Sequence, residues 1–131
     1  MKIIISLILT VLLSSVASAD NTLVTNMSQM ENGLTMVQKG FLYNNPVQIK
    51  EGVADIHAAN LLFHNVDETK KYLPKEKQHM SNIAFNASKR IDKATADLLK
   101  SLDKKQFSKA SQSYSEIVNA CTSCHAVVRG W

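Results

Sequence analysis

Four stretches of this chain repeat apolar residues at intervals of three and four, the spacing of one helix face, and none alternates with the period of two that a half-buried strand needs. With only four glycines and two prolines among 131 residues, long helices meet few breaks. The pattern predicts an all-α protein. Its first stretch carries Met27, Met30, Leu34, Val37 and Phe41, weakened a little by Gly33 and Gly40. Asn44, Asn45 and Pro46 then break the chain, with Asn45 suited to cap a second helix and Pro46 to its first turn. That helix is expected to run on the stripe Ile49, Val53, Ile56, Ala59 or Asn60, Phe63 and Val66, ahead of a charged connection from Asp67 to Lys71 and a turn at Tyr72, Leu73 and Pro74.

The third stretch reads Met80, Ala84, Ala87, Ile91, Ala94 and Leu98, with Lys89, Arg90, Asp92 and Lys93 on its wet side. Asp103 to Gln106 is similar to a capping box and would start the last helix, whose stripe is Phe107, Ala110, Tyr114, Ile117, Cys121, Cys124 and Val128. Four amphipathic helices with short connections fit an antiparallel four-helix bundle, a fold whose core can house a cofactor between facing helices.

The last stripe runs into Cys121, Thr122, Ser123, Cys124 and His125, a CxxCH pentapeptide that uses both cysteines of the chain. Positions i, i+3 and i+4 share a helix face, so two thiols and one imidazole project together. That set suits covalent haem attachment: each thiol adds to one vinyl group, and His125 supplies the proximal iron ligand. Three other readings compete. A Cys121–Cys124 disulfide would close a loop too small to constrain the unfolded chain much. A thioredoxin-like pair normally follows a strand, and zinc would need further ligands from distant histidines.

Residues 1–19 read as a cleaved export signal: Lys2 is basic, Ile3 to Leu13 is almost unbroken apolar sequence, and Ala17, Ser18 and Ala19 form a small-residue cleavage site. The apolar run is shorter than the ~20 residues of a spanning helix, and no second run follows, so no membrane span is expected after cleavage. A bacterial-type leader and a haem motif together point to the periplasm. Residues 20–131 suffice for one modest core and read as a single domain. A formal net charge of +4 is too mild and scattered to argue nucleic-acid binding.

An exported chain of this size, with four helical stripes and CxxCH on the final one, resembles the class II cytochromes c, the cytochrome c-prime group and its low-spin Met/His relatives. The resemblance implies a four-helix bundle holding one covalent haem c along an exposed edge, with redox partner proteins. In that group a basic residue often stands four positions after the proximal histidine. Arg129 is there, able to pair with a haem propionate, although the helix dipole would favour a cation at that place in any case. The aromatic that often precedes it is Val128 here, a departure. Homodimers through the first two helices are common in the group, and an exposed Phe41 or Tyr43 would be compatible with one.

The sixth iron position decides between two functions. Low-spin members take a methionine early on the first helix, and both Met27 and Met30 lie on the buried stripe. Met27 is the expected ligand because counting from it keeps Met30, Leu34, Val37 and Phe41 in register. A match through Lys39 and Gly40 points instead to Val24, which would leave an open iron. Methionine ligation makes an electron carrier; an open site makes a protein that binds nitric oxide or carbon monoxide. His57 and His64, seven apart, and His79 are read as surface residues. No carboxylate pair, activated nucleophile or phosphate loop argues for an enzyme.

Overall fold

A computed structural model describes residues 2–130, with side chains from Asn21 to Gly130, and every regular element in it is helical. Residues 1–20, on which the expected export signal and its cleavage site fall, and Trp131 lie outside the described side chains. The elements are α1 (Lys2–Leu42), α2 (Pro46–Asn60), α3 (Val66–Lys70), α4 (Ser81–Asp103) and α5 (Phe107–His125), with 3-10 turns at Leu61–Phe63 and Lys75–Met80 and a π-helical turn at Ala126–Gly130. The all-α expectation holds. Four long helices carry the predicted stripes, and a short fifth stands where a plain connection was expected.

Two tight hairpins organise the chain, α1 with α2 and α4 with α5, and both use the same turn. Asn44 adopts the left-handed conformation (φ 52°), the amide of Asn45 donates back to the Gly40 carbonyl at 2.8 Å, and that of Asn44 to Phe41. Lys105 repeats the conformation (φ 56°), with Gln106 donating to Ser101 and Lys105 to Leu102, each at 2.9 Å. These paired bonds satisfy carbonyls that a helix end otherwise leaves open. Asn45 then caps α2, its side-chain oxygen accepting from the Gln48 amide at 3.1 Å, with Pro46 opening the helix as expected.

The second turn corrects one expectation. Asp103 ends α4 and pairs with Lys50 at 2.8 Å, while Gln106, which precedes α5, makes no capping bond through its side chain. The capping box therefore does not form, because Asp103 is still helical and three residues of turn separate it from α5. Phe107, expected on the buried stripe, stands half exposed. Since Lys50 lies near the start of α2 and Asp103 ends α4, their ion pair brings both turns to one end of the molecule.

The glycines of α1 are a packing device rather than a weakness. A Cβ on Gly33 would lie 2.6 Å from the Gly52 carbonyl oxygen, and one on Gly52 would lie 2.6 Å from that of Gly33, so the two backbones touch at the α1–α2 crossing. Around it pack Val37, Ile56, Leu98 and Ile117, each at most 1 % exposed, with Ala59, Ala94, Ala110 and Ala120 keeping neighbouring helices close.

The stretch after α2 also departs from expectation. α2 stops at Asn60, which is fully buried, and the Asn60 amide donates to the Ser88 carbonyl at 2.9 Å and to Asp92 at 2.8 Å. Asn65 accepts from the Asp67 and Glu68 amides and so starts α3, where Lys70 pairs with Asp67 and Lys71 with Glu68. Asp92 belongs to this α2–α4 contact and not to the wet face assigned to it.

Two substitutions, one at a turn and one at the α1–α2 crossing, should act in opposite directions. Lys105→Gly removes the left-handed strain of a side chain and should raise stability by about 1 kcal/mol, a few degrees in Tm. Gly33→Ala should lower it, because an overpacking cost of roughly 1–3 kcal/mol exceeds the ~1 kcal/mol that alanine gains in a helix. Thermal melts followed by circular dichroism read both.

Candidate functional site

Cys121, Cys124 and His125 occupy the last turn of α5, all three half-buried, and both thiols are free. The α-helical geometry persists through His125, so the shared face expected from their spacing is present. Immediately afterwards the backbone widens into the π turn that carries Val128 and the exposed Arg129. The 3-10 turn before α4 lies against this end, with Lys77 Nζ donating to the Val127 carbonyl at 3.4 Å.

Burial raises the pKa of both thiols above the ordinary cysteine value, aided at Cys121 by the neighbouring Cys124. Burial therefore activates neither thiol as a nucleophile near neutral pH. Burial also lowers the pKa of His125, and the positive charge of Arg129 adds to the effect. A neutral imidazole keeps a nitrogen lone pair available to a metal.

The helices that flank this face leave it incompletely covered. α1 and α5 approach far less closely than the partners within each hairpin, yet Phe41 and Tyr114 meet across them with ring centroids 6.3 Å apart. Met27, Leu34 and Phe41 on α1 recur every seven residues, as do Tyr114 and Cys121 on α5, and all five are half-buried side chains against the edge of the core. α1 and α5 therefore run antiparallel and flank a seam that is closed at Phe41 and Tyr114. Counted from the Phe41–Tyr114 contact, Met27 lies about 21 Å along α1 and His125 about 16 Å along α5, in the same half of the seam.

The other expected positions fall out as follows. Met30 is level with His125 by the same count but is buried in the core, whereas Met27 keeps part of its surface available. Val24 is 60 % exposed. His79 is exposed, as read from the sequence. His57 is exposed too, but His64 is half-buried and its Nε2 lies 3.0 Å from Asp92, with His57 Nδ1 3.7 Å from the same carboxylate. The two rings stand 6.3 Å apart although α2 ends between them. Among the described residues no group of three His, Cys, Asp or Glu side chains is placed to hold a metal ion. The larger groove, about 690 Å³ between α4 and α5, includes none of the CxxCH residues.

Sequence reasoning missed Tyr114 as a neighbour of the site. Burial raises its phenol pKa, and the nearby Cys121 contributes. Its spacing of seven from Cys121 was the available signal. Comparison with protein-family models, curated proteins and solved structures finds no match.

The residues fit a covalently held haem by the chemistry of the donor set: two unpaired, reachable thiols, one neutral imidazole on the same face, and a seam of half-covered apolar side chains beside them. Because the folded His125 pKa lies below its usual 6.5, the unfolded chain binds more protons, and the haem-free protein should lose stability as the pH falls through about 6.5 and below. His125→Gln should flatten that part of the profile in pH-dependent urea titrations.

Proposed function

We propose that this protein is a periplasmic electron carrier of the class II cytochrome c type, a four-helix bundle formed by α1, α2, α4 and α5 with one haem c attached at Cys121 and Cys124. The observation that carries the reading is two free, half-buried thiols and His125 sharing one face of the last turn of α5, with Cys121 packed against the same core that Met27 and Tyr114 border. Each thiol would add across a vinyl group, the sulfur bonding one carbon and the proton passing to the other, so attachment needs no oxidant. When bound, haem supplies a one-electron ferrous–ferric couple.

The polypeptide does the rest. His125 offers a neutral nitrogen from the proximal side. Met27, half-buried on the facing stripe, is the distal ligand in this reading, and Met30 serves the core. A thioether ligand favours the reduced state and raises the potential. Leu34, Phe41 and Tyr114 exclude water from the seam. Arg129, exposed one turn beyond His125, is available to a propionate. No residue in this arrangement transforms a substrate, and redox proteins are the partners the chemistry asks for.

Visible spectra of the protein purified in both redox states test the proposal. A low-spin spectrum that turns high-spin in Met27→Ala, with a fall in potential and a gain of carbon monoxide binding, is expected. A high-spin spectrum in the unaltered protein would assign it instead to the capture of nitric oxide or carbon monoxide. A low-spin Met27→Ala with unchanged potential would remove Met27 as ligand.

A further inference from the structure

Exposed apolar side chains are not spread evenly over the molecule. Four of the eight large ones among the described residues, Leu42, Tyr43, Val47 and Phe107, lie in or beside the two hairpin turns. The Lys50–Asp103 ion pair holds those turns at one end. Tyr43 is 76 % exposed and Leu42 74 %, on convex turns that no other element covers.

Charge gathers at the same end. Residues 39–51 and 100–109 contain six basic and two acidic side chains, a net +4 that equals the formal charge of the whole chain, so the remainder is balanced. Asp103 is occupied by Lys50, and Glu51 is the other acid. Lys100, Lys104, Lys105 and Lys109 are exposed and enter no ion pair among the described residues.

Protruding aliphatic and aromatic tips beside a cluster of lysines outside any ion pair match an interface of anionic headgroups over an apolar layer. A phosphate polymer would answer the lysines but leave Leu42 and Val47 in water. We propose that this end docks reversibly on an anionic phospholipid surface, through Leu42, Tyr43, Val47 and Phe107 with the four lysines of the α4–α5 turn beside them. The CxxCH turn lies at the far end of α5, about 27 Å away, and stays uncovered. The inference does not depend on the haem reading.

Cosedimentation with vesicles tests it, using protein recovered from the periplasm of a bacterial expression host. Binding is expected to vesicles containing phosphatidylglycerol, to weaken with salt, and to be far lower on pure phosphatidylcholine. Each lysine is worth on the order of fivefold, so Lys104→Gln with Lys105→Gln should lower binding roughly twentyfold. Tyr43→Ser with Phe107→Ser should weaken it even at low salt. All four positions are exposed, and circular dichroism confirms that the variants fold. Equal binding to both vesicle types, or variants that bind like the parent, would overturn the proposal. So would binding of a polyglutamate peptide without vesicle binding, which assigns the lysines to an acidic protein. Sedimentation reads none of the haem chemistry, so failure here leaves the spectra untouched, and the reverse.

Discussion

Apolar surface that the polypeptide leaves half-covered along α1 and α5 is the constraint on which the arrangement turns. Inside each hairpin the helices close tightly, backbone against backbone at Gly33 and Gly52, and alanines bring α4 and α5 together. Between the hairpins the α1–α5 side remains more open, with Met27, Leu34, Phe41, Tyr114 and Cys121 only partly buried. Covering such side chains fully is worth roughly 1 kcal/mol apiece. Five of them amount to about 5 kcal/mol, the same order as the net stability of a small domain. An apolar group seated there would be a structural component as much as a functional one.

The two ends of the molecule differ in kind. At one end the paired turns close backbone hydrogen bonds and are rich in lysine and exposed apolar tips. At the other, α5 carries the CxxCH turn and then widens into a single π turn, Ala126–Gly130. Burial there holds the thiols protonated and the imidazole neutral. The same desolvation thus acts on all three groups, disfavouring the thiolate forms of the cysteines and the charged form of the imidazole.

Much of this was legible in the sequence because helix periodicity and cap chemistry are local. The Asn45–Pro46 start of α2 needed only neighbouring residues to be read, and the stripes through Val37, Ile56, Leu98 and Ile117 point to the core as expected. What failed was non-local. Asp103 looked like a cap because its spacing to Gln106 fits one, but Lys50, fifty-three residues away, claims its carboxylate. Asp92 looked solvated until Asn60 and His64 were brought to it from α2 and the turn beyond. Gly33 looked like a weak point because its partner, Gly52, lies on another helix. The shared face of Cys121, Cys124 and His125 is local and was read directly, whereas the approach of Phe41 on α1 to Tyr114 on α5 depends on tertiary pairing.

The central claim is that Cys121 and Cys124 carry a covalent haem, and the mass of one peptide tests it most directly. Trypsin releases residues 110–129 as a single fragment containing both cysteines and His125. From protein made in a bacterium equipped to mature c-type cytochromes, that fragment should keep the mass and the absorbance of haem after extraction with acid and organic solvent. The same fragment at its plain mass, with the thiols free or joined to each other, would contradict the account.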